Sequence, residues 1–237
     1  MDESVKLALA KWPNVPSCTG WLALDRRGNW RMRDEAAQRS GAAGSTIRHP
    51  ALLAFIARNY GADEAGRWFF QNGPQRVYVE LAYTPWIVRL QRHPVADGAT
   101  GPIAGATASD DASSGAAGRD PDASSVGKLT LTDQCGGAFE PVAGWLDDAG
   151  SVLFSDASGR LALLHDHDLD LLTDHTSWED AGNAKRAATP AHRAEPTTPL
   201  ATLHWRAHVD LPLAPILAGE VEQRFGFVRS PAASLAG

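Results

Sequence analysis

Leu164-His165-Asp166-His167-Asp168-Leu169-Asp170 holds the densest supply of chemically able side chains in this 237-residue chain. Read as a strand, it sends His165 and His167 to one face and Asp166, Asp168 and Asp170 to the other, because side chains alternate along an extended backbone. Neutral imidazole is a common ligand for zinc, iron or nickel, so two histidines on one face could chelate a divalent metal. A second polar face, within Thr202 to Asp210, offers His204, Arg206, His208 and Asp210. His165 and His167 joined to His204 and His208 would make a metal-binding protein or a metal-dependent hydrolase. Known spacings lend this little support. The His-x-His-x-Asp-His pattern of metallo-β-lactamase-like enzymes needs Asp where Leu169 stands. A polar strand end facing water is the simpler account of the same residues.

Other chemistry is poorly supplied. The chain has no Gly-x-x-x-x-Gly-Lys-Ser/Thr phosphate loop, no Gly-x-Gly-x-x-Gly and no Gly-x-Ser-x-Gly elbow. Cys18 could act as a nucleophile only beside a histidine, and no sequence feature points to one. No catalytic residue is assigned and no cofactor is implied, a divalent metal being the alternative. The strongest candidate surface is aromatic. Trp68, Phe70, Tyr78, Tyr83 and Trp86 lie close together with Arg76 among them. On an exposed sheet face they would form the aromatic and arginine surface enriched at interfaces. The leading expectation is therefore a non-catalytic accessory protein that binds a protein or peptide. Ordinary half-buried sheet is the plainer reading. A small-molecule site between two halves of the chain is the third.

Composition narrows the class. Residues 1–93 carry 13 Lys and Arg against 8 Asp and Glu, whereas residues 94–237 carry 9 against 20, which together give the net charge of −6. Such a split favours packing of the halves against each other or a head-to-tail contact between chains. The basic residues of the first half are mostly spaced singly, so no concentrated patch for nucleic acid forms. Two cysteines make neither a disulfide framework nor a Cys-x-x-Cys metal site, and a reducing compartment suits them. There is no signal-peptide layout and no apolar run approaching the roughly 18 residues that span a bilayer. A cytoplasmic protein with no nucleic-acid or membrane partner is expected.

The elements that must position these residues are short. Glu3 to Lys11 has a helical spacing of apolar residues and stops at Trp12-Pro13. His49 to Tyr60 reads as a second helix, with Pro50 in its first turn and Gly61 past its end. Trp21 to Leu24 and Asn29 to Arg33 form a hairpin. Asp25 and Gly28 supply a type I turn with glycine in the left-handed position. The pair Asn72-Gly73 turns another hairpin, followed by strict alternation of Val77, Val79 and Leu81. Lys128 to Thr132 and Ala201 to Val209 read as further strands, Leu146 to Leu164 as two consecutive Asp-x-x-Gly hairpins with Val152-Leu153-Phe154 between them, and Leu213 to Phe225 as a closing helix. Residues 93–127 are almost entirely Ala, Gly, Ser, Thr, Asp and Pro, and residues 180–199 are similarly poor in apolar groups. Both read as disordered or flexible. The expected organisation is an N-terminal α+β half (1–92), a linker (93–127) and a C-terminal β-rich half (128–237).

The halves share a pattern. Gly20-Trp21-Leu22 precedes an Asp-x-x-Gly turn at Asp25, and Gly144-Trp145-Leu146 precedes one at Asp147. A further Asp-x-x-Gly-Arg follows in each half, at Asp63 and at Asp156. Asp-x-x-Gly occurs five times where chance gives about two. The fold class read from this is β-rich α+β: two antiparallel, hairpin-based halves with a few short helices, in an arrangement suggesting internal duplication.

Four stretches carry a family resemblance. They are Lys11-Trp12-Pro13-Asn14-Val15-Pro16, Gly20 to Asp34, Gly66 to Leu81, and Leu163-Leu164-His165-Asp166-His167-Asp168. In these the chain resembles an uncharacterised bacterial family, a domain of unknown function. The resemblance implies no activity, cofactor or catalytic residue.

Overall fold

The computed structural model describes residues 1–93, 128–178 and 198–235. Both segments expected to be flexible therefore lie almost wholly outside the described residues. Two sheets dominate. The first contains β1 (Cys18–Leu24), β2 (Trp30–Met32), β3 (Ser45–Thr46), β4 (Tyr60–Ala62), β5 (Trp68–Asn72) and β6 (Gln75–Leu81). The second contains β7 (Trp86–His93), β8 (Lys128–Asp133), β9 (Ala138–Phe139), β10 (Pro141–Asp147), β11 (Val152–Asp156), β12 (Leu161–Leu164), β13 (Thr176–Trp178), β14 (Ala201–Arg206) and β15 (Val209–Ile216). The short helices are α1 (Glu3–Lys11), α2 (Glu35–Ser40), α3 (Pro50–Arg58), α4 (Leu169–Thr173), α5 (Val221–Phe225) and α6 (Pro231–Leu235).

The duplication is written in the strand order. The first sheet runs β3-β2-β1-β6-β5-β4, and six strands of the second run β12-β11-β10-β15-β14-β13. In each, the central pair is parallel (β1 with β6, β10 with β15), and the outer pairs are antiparallel. A helix lies between the third and fourth strands in both, α3 in one and α4 in the other. The turns at Asp25 and Asp147 are equivalent, each closing the hairpin of first and second strands. The other sequence match is out of register. Asp63 joins β4 to β5, whereas Asp156 joins β11 to β12. Likewise Leu22 stands three residues before its turn and Leu146 one before, so the two Gly-Trp-Leu segments are out of register by two residues; Trp21 is exposed and Trp145 buried.

All five Asp-x-x-Gly turns are built alike. The aspartate carbonyl accepts from the glycine N–H, and its own N–H donates to the carbonyl four residues on. Its Oδ1 accepts from the amides two and four residues on, as in Asp156 with Ser158 and Arg160. The same pair is made at Asp25, Asp63, Asp133 and Asp147. Each glycine has φ between 74° and 84°, the left-handed region where a Cβ is costly. At Asp25, Asp63 and Asp156 burial raises the carboxyl pKa. Hydrogen bonds from the loop amides and from Arg31, Arg67 and Arg160 outweigh it, and the net shift is downward. A carboxyl with a depressed folded pKa adds stability above its unfolded value, about 3.9, and loses it as pH falls through the folded value. Urea midpoints are thus expected to fall steeply below about pH 4, and Asp25→Asn to flatten part of that slope.

The two halves share a core. Leu22, Leu24, Trp30, Val79 and Leu81 of the first sheet pack with Trp145, Leu153, Leu161, Leu163 and Ile216 of the second. Val88, Leu90, Phe154, Ala162 and Leu164, alternating with those residues, face the other way. There they meet Leu129, Leu131, Leu203, Trp205 and Leu213, as β14 comes against β8. Burial on both faces explains the unbroken apolar run Leu161-Ala162-Leu163-Leu164.

Three expectations are corrected. The change of sheet falls at Thr84-Pro85, not at residue 92. β7 pairs with β12 and β8, so it belongs to the second sheet. Leu213 to Phe225 is not one helix: Leu213–Ile216 completes β15, and only Val221–Phe225 is helical. Parallel pairing with β10 wins there because Gly144 leaves room. A Cβ on Gly144 would sit 2.5 Å from Leu213 Cδ2. The helix after Pro50 ends at Arg58, and Gly61 lies within β4.

Candidate functional site

Of the six residues expected to form an exposed aromatic and arginine surface, Phe70, Tyr78 and Tyr83 are buried. Trp68 and Trp86 are half-buried, and only Arg76 is exposed. The rings meet one another instead of solvent. Tyr60 lies 5.0 Å from Trp30, 4.8 Å from Trp68 and 5.3 Å from Trp86 between centroids, and Trp68 lies 5.5 Å from Trp86. Arg76 stacks on Phe69 at 4.6 Å. The alternation in β6 locates one core face correctly. The other face, carrying Tyr78, is covered by Phe69 and by Arg67, 5.3 Å over the Tyr78 ring.

Tyr83 joins the halves. Its hydroxyl donates to Asp147 Oδ2 at 2.6 Å, across 64 residues of sequence. Burial, then the Asp147 carboxylate, pushes the phenol pKa up, which keeps the proton on the donor. Tyr83→Phe leaves that buried carboxylate oxygen short of a donor. The expected loss is about 1.5–3 kcal/mol in denaturant unfolding.

The histidines do not converge into a metal centre. The strand ends at Leu164, and His165 caps a 3-10 turn over Asp166–Asp168, so the period-two pattern is lost. His165 is buried and His167 exposed, with ring centroids 4.9 Å apart. Burial, then the Arg89 guanidinium, lowers the His165 pKa. The neutral ring accepts the His167 amide at Nδ1, 3.1 Å away. His204, on β14, lies with Nε2 2.7 Å from Ser177 Oγ and Nδ1 2.8 Å from Asp210 Oδ1. His208 is exposed in the β14–β15 turn at φ 63°. Among the described residues no group of three or more His, Cys, Asp or Glu side chains could hold a metal ion.

The structure gathers another set of residues, at the seam between the sheets. Arg26 and Arg27 occupy the two middle positions of the Asp25 turn. Arg27 reaches Asp166 Oδ2 through Nε at 3.0 Å and Nη2 at 2.6 Å. Arg26 Nη2 donates to Ser151 Oγ at 2.7 Å, and its guanidinium lies 4.5 Å from the Tyr83 ring. Beside Asp166, Asp168 takes a two-pronged bond from Arg89 at 2.7 and 3.0 Å. These contacts realise the opposite charges of the halves. They frame a cavity of about 350 Å³ lined by Arg26, Arg27, Ser151 and Asp166 above Val152, Leu163, Leu164 and Leu169. A second cavity of about 350 Å³ lies between α3, Trp30 and the Asp133 turn, with Cys135 in its wall. Burial, then Asp133, pushes the Cys135 thiol up to about 12, so it is a poor nucleophile. Sequence reasoning missed Arg26, Arg27 and Ser151. Their signal was the adjacent arginine pair inside a turn that needs no arginine.

The molecule is therefore a duplicated, two-sheet α+β protein with a charged and apolar cavity at its seam. A family model described as "Protein of unknown function (DUF2946)" matches residues 1–112 and 117–232, and the chain belongs to that family. Among solved structures it is similar to a DUF1285 family protein from Silicibacter pomeroyi DSS-3. That match has 15% identity and a TM-score of 0.44, covering 87% of this chain and 94% of that one. A DUF1285 family protein from Shewanella baltica OS155 also matches, with 14% identity and a TM-score of 0.36, over 65% of this chain and 91% of that one. No curated protein matches. No helix among the described residues is long and apolar enough to cross a membrane.

Proposed function

We propose that the protein is a cytoplasmic binding module that holds a small amphipathic anion, a carboxylate on a short apolar body, in the seam cavity framed by Arg26 and Arg27. The observation that carries this reading is the cavity's division into an apolar floor and a cationic rim. Val152, Leu163 and Leu164 are almost fully buried and offer an aliphatic floor. Arg27 is neutralised by Asp166, but Arg26 has no carboxylate partner among the described residues. Its guanidinium is held by a serine hydroxyl and a ring face, both of which an arriving carboxylate could outbid. Charge-assisted bonds are about twice as strong as neutral ones, and the Arg fork matches a carboxylate. A cavity of this volume suits a small ligand. Walls from both halves would make binding report on their relative position. The free Cys18 and Cys135 fit a reducing compartment.

Calorimetric titration with hexanoate and with hexanol tests the reading. Hexanoate is expected to bind and to raise the melting temperature. Arg26→Ala should weaken it about 10–100-fold, the loss of one charge-assisted bond of roughly 1.5–3 kcal/mol. Equal binding of hexanol, or hexanoate binding untouched by Arg26→Ala, would sink the proposal.

A further inference from the structure

We infer that Ser177 is an activated nucleophile, able to take an acyl group from an ester through the relay Ser177–His204–Asp210. The site lies away from the seam, on the far edge of the second sheet. Three neighbouring strands supply one residue each: Ser177 from β13, His204 from β14 and Asp210 from β15. Strand register sets the spacing. Thr202 pairs with Ser177 and His204 pairs with Asp210, and paired residues share a face, as do residues two apart. Ser177, His204 and Asp210 therefore share one face of the sheet, with His204 opposite Asp210 and diagonal to Ser177. The His204 amide also donates to the His175 carbonyl at 2.8 Å, fixing β14 against the end of β13.

For a neutral ring beside an ionised carboxylate, the two ring contacts select one tautomer. Asp210 Oδ1 lies 2.8 Å from His204 Nδ1. An ionised carboxylate only accepts, so Nδ1 must carry the hydrogen. In the neutral ring Nε2 then has a free lone pair, and it lies 2.7 Å from Ser177 Oγ. The serine hydroxyl must donate to it. This is the tautomer and the direction that a serine–histidine–aspartate relay requires. All three side chains are exposed, so an ester in solution can reach Oγ.

The step balances without a cofactor. Ser177 Oγ attacks the ester carbonyl carbon as its proton passes to His204 Nε2, and Asp210 stabilises the imidazolium. The tetrahedral species collapses, the carbon–oxygen bond to the leaving alcohol breaks, and His204 returns the proton to that alcohol. A water molecule, deprotonated by His204, then attacks the acyl carbon; the bond from that carbon to Ser177 Oγ breaks as His204 returns the proton to Oγ, and the carboxylic acid leaves. Nothing is oxidised or reduced. General base assistance of this kind contributes about 10²–10⁴-fold.

The full-length chain is to be incubated with a fluorophosphonate probe and, separately, with p-nitrophenyl acetate, and labelled peptides mapped by mass spectrometry. Ser177 is expected to label at least about 100-fold faster than exposed Ser40, a serine without a histidine partner, the low end of general-base assistance. Ser177→Ala should remove that label, and His204→Ala and Asp210→Asn should slow it. His204→Gln keeps hydrogen bonding across the strands but cannot carry the proton. It should leave the melting temperature near that of the native chain while losing the labelling. Labelling of Ser177 no faster than of Ser40, or a rate unchanged in His204→Gln, would show that the three residues make only a polar cross-strand contact and overturn the inference.

Discussion

Arg160→Ala is expected to cost about 3–5 kcal/mol of folding stability, the range for stripping the partner from a buried charge. Arg160 ends the Asp156 turn and serves two turns together. Its Nε lies 2.6 Å from Asp156 Oδ2 and its Nη1 2.9 Å from Asp133 Oδ2. The Asp133 side chain is 2% exposed and that of Asp156 8%. Neither can exchange the guanidinium for water without local opening. Nη2 also donates to the Ala138 carbonyl, and the guanidinium plane covers Trp86 at 5.1 Å and Phe139 at 5.0 Å. Arg160→Lys keeps a charge but loses the fork, so it should fall between the native chain and the alanine variant. Urea unfolding followed by tryptophan fluorescence measures the difference. A loss below about 1 kcal/mol, the size of a surface ion pair, would mean that the two carboxylates find water without the arginine.

The same residues show how far the sequence could be read. An Asp-x-x-Gly turn is made by four consecutive residues, with the aspartate binding its own loop amides and the glycine taking the positive φ. Its presence and geometry are local, so all five turns were legible. What each turn's second carboxylate oxygen binds was not. Asp63 and Asp156 take the arginine four residues on, but Asp147 takes Tyr83 and Asp133 takes Arg160. These partners are set by which hairpins pack together. The seam illustrates the limit most clearly, because Arg27 and Asp166 are 139 residues apart. Only the overall charge asymmetry of the halves foreshadowed their meeting. Asp210 was read on the same strand as His204, but the chain turns at Ala207-His208 and places it on β15, opposite His204 on β14. Ser177 was not legible, because its place beside them depends on the register of β13 against β14.

Duplication was legible as a repeated turn and illegible as topology. Matching letters paired Asp63 with Asp156, yet the strand order pairs β4–β5 with β13–β14. A turn this stable recurs wherever a tight antiparallel connection is needed, whether or not the flanking strands are equivalent. The conserved quantity between the halves is the parallel central pair flanked by antiparallel strands. That pairing comes from strands about 55 to 70 positions apart, beyond the reach of any local pattern. The second half departs by accepting β7, β8 and β9 on its β12 edge. This addition is what lets the first half's polypeptide enter the second sheet.

Trp86→Ala is expected to lower stability by about 3 kcal/mol, the low end for truncating an aromatic core residue because the ring is half-buried. Trp86 begins β7, the strand that carries the chain into the second sheet. Its ring is clasped by Tyr60 and Trp68 from the first sheet and by Arg160 from the second. Its carbonyl accepts from Thr84 Oγ1 at 2.7 Å, and Gln134 Oε1 accepts the next amide, that of Ile87, at 2.9 Å. The indole Nε1–H is buried with no partner among the described residues. The side chain therefore contributes packing and not a polar contact. Trp86→Phe should retain most of the stability, since it keeps an aromatic face for Tyr60 and Arg160 and removes an unpaired donor. An exposed recognition residue would behave differently. Its alanine variant would keep the native urea midpoint and lose only binding. A midpoint unchanged in Trp86→Ala would return the aromatic cluster to the surface, and a fall matched by near-native behaviour in Trp86→Phe would place it in the joint between the two sheets.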